Sequence, residues 1–224
     1  MRRNLGMTIA AILLAGLTVQ RAWPSPVYQP PELTSAGNIA FPLNVMKTGM
    51  VTLLVNLDSS GNVQNLDVLQ DVPGLTSVAS GAVKTWGFKP ATLDGQSVSS
   101  VLLVDVVFNP FNPAGAGNES LTIPLSQAAP AANSDYIPPR ITAATFAKYP
   151  ANSVASGAVA FDITVGKSGD AAKVRVVRSV PALTAPAGEA LKNWTIRAAR
   201  FKGAPVASHV AVAYVFPTPG TASY

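Results

Sequence analysis

The sequence predicts an α+β protein built from two tandem copies of one small unit, each with the element order β-β-α-β. Three observations predict this fold class. The chain matches itself at one constant offset, which aligns Tyr28 with Tyr136, each copy combines β-rich runs with one helical stripe, and a segment rich in Pro, Gly, Ala and Asn separates the copies. Each unit is expected to be a small antiparallel sheet covered on one face by its helix.

The amino-terminal segment, residues 1–22, has the composition of an export signal. A basic start with Arg2 and Arg3 precedes an uncharged, mainly apolar run over residues 5–19. That run is shorter than the about 20 residues that span a bilayer, and it is typical of a signal peptide. We therefore expect a periplasmic or secreted protein. No clean A-x-A motif precedes Trp23, so an uncleaved segment that anchors the chain in the inner membrane stays an alternative.

The composition excludes several functional classes. The chain contains no cysteine, which excludes disulfides, thiolate metal sites and cysteine nucleophiles and fits an oxidising compartment. The net charge of +5 includes Arg2, Arg3 and Arg21 of the amino-terminal segment. Because an export signal accounts for those charges, the basic balance does not indicate a nucleic-acid partner.

The repeat covers residues 28–108 and 136–216, with a predicted linker over 109–135 and a tail over 217–224. Roughly a third of the aligned residues are identical, and no gap is needed. The identities include entry, turn and helix positions: Tyr28 with Tyr136, Gly61 with Gly169, Pro73 with Pro181, Trp86 with Trp194, and Gly95 with Gly203. One register through every turn indicates a duplicated unit.

Within each copy the first elements form a hairpin. The β-rich runs 51–57 and 63–69 flank a Ser-Gly turn, as do 159–165 and 172–177 in the second copy. A helix follows, because apolar residues recur at helical spacing. In the first copy the stripe comprises Leu75, Val78, Ala79, Ala82, Val83 and Trp86, and in the second Leu183, Ala187, Ala190, Leu191 and Trp194. Thr76 is the predicted N-cap.

A third strand closes each unit. After a turn at Asp94-Gly95, a β-rich run covers residues 98–108, and its counterpart covers 206–216. A three-stranded sheet leaves open edges, and open edges invite another strand.

These motifs resemble the C-terminal domain of TonB. The resemblance rests on Phe41-Pro42 and Tyr149-Pro150, the Gly-x-Val strand starts, the Pro-x-Leu before each helix, Trp86-Gly87-Phe88-Lys89-Pro90-Ala91 and Asp94-Gly95. It implies a sheet unit that binds an extended peptide of an outer-membrane receptor by adding it to an exposed edge strand. It places the partner-binding positions in the third strands: Val98, Val101, Val104, Val106, Phe108, Val206, Val210, Val212, Tyr214 and Phe216.

Three departures argue against an energy-transducing role. No long Pro-Glu/Pro-Lys spacer is present, the amino-terminal segment contains no histidine, and the domain occurs twice. We therefore infer the binding fold without the transduction.

No catalytic, cofactor-binding or metal-binding residues are predicted, and we expect a protein without enzymatic activity. His209 is the sole histidine and is interpreted as a strand-surface residue, since no G-x-S-x-G motif accompanies it. Asp58, Asp67 and Asp71 are interpreted as solvated turn and strand residues. The two tryptophans are expected in the core.

The copies differ in charge. The first holds three basic and six acidic residues, and the second ten basic and three acidic. The difference is either drift on solvated faces, a means of docking the two copies, or a site for an acidic partner or an anionic lipid surface.

The sequence thus predicts an exported cell-envelope module that recruits a partner peptide or protein by edge-strand addition. The alternative is a structural or assembly component of the envelope that associates with itself through sheet edges. Pairing of the two repeats within one chain, or a homodimer, is left open.

Overall fold

The computed structural model describes residues 27–42, 45, 47–111, 120–121, 135–151 and 153–219. The predicted signal or anchor segment, most of the predicted linker and the end of the tail lie outside the described residues.

Both repeats contain the same nine elements in the same order. The first repeat comprises β1 (Tyr28–Gln29), β2 (Glu32–Ser35), β3 (Gly49–Leu57), β4 (Val63–Gln70), α1 (Thr76–Val83), β5 (Gly87–Lys89), β6 (Ala91–Leu93), β7 (Gln96–Val98) and β8 (Ser100–Phe108). The second comprises β9 (Tyr136–Ile137), β10 (Arg140–Ala143), β11 (Gly157–Val165), β12 (Ala171–Arg178), α2 (Thr184–Leu191), β13 (Thr195–Arg197), β14 (Ala199–Phe201), β15 (Ala204–Val206) and β16 (Ser208–Phe216).

The predicted order β-β-α-β is therefore incomplete. It describes the hairpin, the helix and the long third strand, but two short strands precede the hairpin and three short strands follow the helix. The run over 98–108 is not one strand: β7 ends at Val98 and pairs with β6, while β8 begins at Ser100. Asp94 and Gly95 form the tight turn between β6 and β7, and both have positive φ angles, 52° and 81°.

Each helix buries the stripe that its spacing predicts. Leu75, Ala79 and Val83 are fully buried under α1. Thr76 does not cap the helix, however, because it is the first helical residue and Leu75 holds the cap position without a side-chain hydrogen bond. The Thr76 hydroxyl instead accepts a hydrogen bond from the Val72 N–H at 2.9 Å, which fixes the turn that leads into the helix.

The long strands of both repeats form one six-stranded sheet in the order β12-β11-β16-β8-β3-β4. Neighbours pair antiparallel within each repeat. The third strands β8 and β16 pair parallel to each other, from Leu103 opposite Val210 to Phe108 opposite Val215. Pairing of the repeats within one chain, which the sequence left open, is thus seen in the structure.

The two helices lie on opposite faces of this sheet. The core around α1 contains Leu53 together with Ala160 and Ala213 of the second repeat. The core around α2 contains Phe161 together with Met50 of the first repeat. Successive strand residues point to opposite faces of a sheet. Met50 and Leu53 are separated by an odd number of positions in β3, so their side chains, and the two cores that contain them, lie on opposite faces. A pseudo-two-fold axis along the parallel strands therefore turns the second repeat over relative to the first.

The middle of the sheet is buried on both faces. Residues 102–109 and 210–217 are all buried. Each third strand therefore has a core on both sides, as is typical of parallel pairs covered on both faces.

Part of the predicted linker packs against the fold. Asn109 is fully buried, its N–H donates to the Val215 carbonyl at 2.9 Å, and its Oδ1 accepts from the Ala147 N–H at 2.9 Å. Leu121 lies in the core around α2. Asn109 and Leu121 of this segment are therefore part of the packed fold.

We expect Gly61→Ala to destabilise the fold more than Gly95→Ala. Both glycines have positive φ, 86° and 81°, so both substitutions introduce backbone strain of about 1 kcal/mol. A Cβ at position 61 would stand 2.4 Å from the Phe88 carbonyl oxygen, whereas one at position 95 meets nothing within 4 Å. Urea unfolding should show a further loss of at least about 1 kcal/mol for Gly61→Ala. Equal losses would contradict the close approach.

Candidate interaction surface

The strands predicted to recruit a partner are not edges. β8 is bonded to β3 on one side and to β16 on the other, and β16 is bonded to β8 and β11. The prediction of exposed edges is therefore wrong for eight of the ten positions: Val101, Val104, Val106 and Phe108 in β8, and Val210, Val212, Tyr214 and Phe216 in β16. The physical reason is that each third strand already uses the other as its added strand.

The remaining two predicted positions lie in short hairpins. Val98 and Val206 end β7 and β15, where they pair with Ala91 and Ala199. Both valines are half-buried. They belong to neither edge of the six-stranded sheet.

The unpaired edges of the six-stranded sheet are β4 and β12, the second strands of the two hairpins. Among the described residues only a few large apolar side chains are exposed, and three of them lie on these strands: Val68 (45% exposed), Val174 (43%) and Val176 (46%). Val68 and Val176 hold equivalent positions in the two repeats. Exposed valines beside an unpaired backbone form an apolar strip that a further strand can cover.

A groove of about 620 Å³ runs beside β12, between that strand and α2. Val174 and Val176 line it from the strand and Leu191 from the helix, and Trp194 lines it as well. Trp194 is half-buried and rests edge-on against Tyr214 at 6.1 Å between ring centroids. The expectation of two core tryptophans is thus met by Trp86, which is 5% exposed, while Trp194 belongs to a groove wall.

The equivalent position in the first repeat holds a cavity of only about 290 Å³, lined by Val63, Leu66 and four polar residues that include Ser80 and Lys84. Ser80 corresponds to Gly188 on α2. A Cβ at Gly188 would meet nothing within 4 Å, which shows that the groove has open space above the helix. The two units therefore share a fold and differ in the space beside their edge strands.

The two hairpins also differ in charge. Residues 58–71 contain three acidic residues and no basic one, whereas residues 166–179 contain four basic residues and one acidic. Asp67 and Asp71 are exposed, as predicted. Asp58 accepts the backbone N–H groups of Asn62 and Ser60 in the turn, and these hydrogen bonds, first those from Asn62, lower the pKa of its carboxyl. The sheet therefore has one acidic edge and one basic edge.

A buried carboxylate links the repeats near the basic edge. Asp162 is 2% exposed, and its Oδ2 lies 3.2 Å from the Arg175 guanidinium and 2.8 Å from His209 Nδ1. Its Oδ1 accepts the Leu33 N–H of β2 at 3.2 Å, while Arg175 donates to the Leu33 carbonyl at 2.6 Å. These bonds satisfy the backbone N–H and carbonyl of Leu33, and they hold β2 of the first repeat against the strands of the second repeat.

His209 is therefore not the strand-surface residue that the sequence predicted. Its side chain is only 12% exposed. Its partner carboxylate is held by an arginine and a backbone N–H. The arrangement is a structural junction.

A second buried carboxyl lies at the seam between the repeats. Asp105 stands opposite Val212 in the parallel pair and is fully buried. Thr52 Oγ1 donates to its Oδ1 at 2.6 Å, and its Oδ2 has no hydrogen-bond partner among the described residues. Burial raises the pKa of the Asp105 carboxyl to about 7, against the smaller opposing effect of the Thr52 hydrogen bond.

A third cavity, of about 680 Å³, lies between the repeats at one end of the sheet. Tyr28 and Tyr136 stand 5.7 Å apart there, and Tyr28 stacks on Phe201 at 6.1 Å. Burial raises the pKa of Tyr28 to about 12. Both repeats line this cavity, so it depends on their docking.

Over the described part of the chain, no group of three or more His, Asp or Glu side chains is placed to hold a metal ion. None of the helices in that part of the chain has the length and apolar character needed to cross a membrane.

A protein-family model described as Gram-negative bacterial TonB protein C-terminal matches the chain twice, over residues 44–110 and 147–217. The two matches cover more than half of the chain, and each begins after the first two short strands of one repeat. That family is one of periplasmic, non-enzymatic protein-interaction domains. Comparisons with curated proteins and with solved structures gave no match.

We expect the contribution of Asp105 to the stability of the protein to fall as the pH rises from about 4 to about 7. The folded state holds a proton on Asp105 in this window and the unfolded state does not, so the stability that this carboxyl contributes is greatest below its unfolded pKa and is lost as the pH approaches its folded pKa. Asp105→Asn keeps the acceptor for Thr52 and removes the titration. Relative to wild type, it should gain up to about 1.4 kcal/mol per pH unit across this window.

Urea midpoints between pH 4.5 and 8 measure this difference. Asp94→Asn is the matched control, because Asp94 is an exposed turn carboxylate and asparagine keeps the acceptor for the Val27 N–H. Parallel pH profiles for wild type and Asp105→Asn would show that the buried carboxyl does not titrate in this range.

Proposed function

The chain belongs to the Gram-negative bacterial TonB C-terminal family, and on this premise we propose that it is an exported protein-interaction module of the cell envelope. It captures an extended segment of a partner protein as an added strand at β12. The observation that carries the proposal is the unpaired edge of β12 beside an apolar groove.

Strand addition at β12 uses two kinds of contact. The outward backbone groups of β12 supply main-chain hydrogen bonds, which give affinity for any extended segment. Side chains of that segment alternate between the two faces, so every second one points to the face that carries the groove. There Val174 and Val176 offer apolar contacts.

The charge of this edge favours an acidic segment. Lys167 and Lys173 are exposed, and Arg175 keeps 38% of its side chain exposed beside Asp162. Acidic side chains on the face opposite the groove would lie near these cations. Complementary charges speed encounter and select among partners more than they add affinity.

The third strands, which the resemblance names as the recruiting edge, could receive a partner only if the two repeats came apart. Separation would expose both apolar faces of β8 and β16, which are buried over residues 102–108 and 210–216. The cost of that exposure favours β12 as the site in the docked chain.

A groove-filling substitution tests this proposal. Gly188→Leu places a side chain in the open space above α2, where no atom lies within 4 Å of the new Cβ. It also raises helix propensity, so the fold should be kept. Ser80→Leu is the matched control, because it makes the same addition at the equivalent position of the first repeat.

The measurement is affinity capture from envelope extract of the source cell, with bound proteins quantified. Wild type and Ser80→Leu should retain the same envelope proteins, and Gly188→Leu should lose most of them. Equal capture by all three baits would contradict binding at the groove. A proline at Val104 or Val212 would not test this site, because it would remove a backbone donor from a central strand of the sheet and disturb the fold itself.

A further inference from the structure

We propose that β12 binds β4 of a second copy of this chain, so that the six-stranded sheets join edge to edge, head to tail. The inference rests on the proposed function, since it names the strand that β12 captures. Three observations carry it: the exposed valines, the opposite charges and the matched backbone of the two edges.

The apolar side chains of the two edges match. β4 carries Leu66 and the exposed Val68, and β12 carries Val174 and Val176. Leu66 and Val68 are the repeat equivalents of Val174 and Val176, so each pair points to the face of its own helix. Joining the edges covers three of the exposed large apolar side chains in the described residues.

The charges of the two edges are complementary. Asp67 lies between Leu66 and Val68 and points to the face away from α1. Arg175 lies between Val174 and Val176, and it points away from α2 to bond Leu33 and Asp162. An antiparallel register with Asp67 opposite Arg175 also brings Lys173 to the diagonal position, within reach of the carboxylate.

The same register brings the valines together. With Asp67 opposite Arg175, Val68 stands opposite Val174, and Leu66 stands opposite Val176. Residues 65–68 and 173–176 each pair with their own hairpin partner without interruption, while register shifts flank both segments. The regular part of each edge is therefore the part that the register uses.

The backbone permits this pairing. Within one chain β4 and β12 run in the same direction, because each is antiparallel to a strand that is antiparallel to β8 or β16, and these two are parallel. A second copy turned over about an axis across the strands presents its β4 antiparallel to β12. The same turn places its α1 on the face of the first copy's α2, so that both apolar strips meet.

The two edges cannot satisfy each other within one chain. They lie at opposite ends of six strands, and five strand spacings amount to about 24 Å. Pairing of like edges is disfavoured, because β12 against β12 brings Lys173 and Arg175 near their own copies, and β4 against β4 does the same for Asp67. The favoured contact is therefore heterologous, and it leaves one acidic and one basic edge at the ends of each assembly.

Cysteine cross-linking tests the register, because the chain has no cysteine of its own. Full-length Val68→Cys and Val174→Cys proteins are prepared separately, mixed and oxidised under mild conditions. We expect a disulfide-linked dimer in the mixture and little in either protein alone. Gln96→Cys mixed with Val174→Cys is the control for random collision, since Gln96 is exposed in β7, which belongs to a different sheet from β4. Dimer in the control mixture at the same yield, or in the single proteins alone, would overturn the proposal.

Charge reversal supplies a second readout without cysteine. Asp67→Lys and Lys173→Glu should each weaken self-association in sedimentation by about threefold or more, and the double variant should recover most of the loss. Additive weakening in the double variant would contradict head-to-tail pairing.

The outcomes separate this inference from the proposed function. If no cross-link forms, but Gly188→Leu still loses its envelope proteins, the captured strand belongs to another protein and the self-pairing is wrong. If no cross-link forms and Gly188→Leu captures the same envelope proteins as wild type, the β12 edge is not a binding site and both proposals fail.

Discussion

The parallel pairing of β8 with β16 determines the rest of the architecture. Each third strand alone would leave one small unit with an open edge. Because the two strands use each other, those edges disappear, the cores of the repeats meet, and the free edges move outward to β4 and β12. The duplicated domain thus supplies internally the strand that a single domain would have to find elsewhere, and the surface offered to partners changes accordingly.

The second repeat is turned over relative to the first, and this determines what covers each face of the sheet. Each half of the sheet is covered by its own helix on one face and by the other repeat's entry strand on the reverse face. Leu33 of β2 packs in the α1 core against the second repeat, and Ile141 of β10 packs in the α2 core beside Met50. The reverse faces are not equivalent, because Asp162 stands where the first repeat has Leu54. The Asp162 carboxylate, which is paired with Arg175, accepts a hydrogen bond from the Leu33 N–H of β2.

Divergence between the repeats explains where the candidate site lies. Gly188, in place of Ser80, lines the groove beside α2, and Trp194 lines it as well, whereas Trp86 is buried. Basic residues gather in the second hairpin and acidic residues in the first. The two repeats thus share a pseudo-symmetric fold but have different edge strands: β12 is basic and lies beside the larger groove, and β4 is acidic.

The sequence by itself determined the duplication, the hairpins, the helices and the family, since repeat spacing and apolar periodicity are local properties. It also contained an indication that the third strand is central. Residues 101–108 are apolar with one exception, so polar and apolar residues do not alternate there, which is typical of a strand buried on both faces. The tertiary structure alone decided that β8 meets β16, that His209 is held by Asp162, and that β4 and β12 are the free edges. Those facts depend on contacts between residues far apart in the chain, such as Leu103 and Val210, where backbone pairing and face-to-face packing choose the partner and no local pattern specifies it.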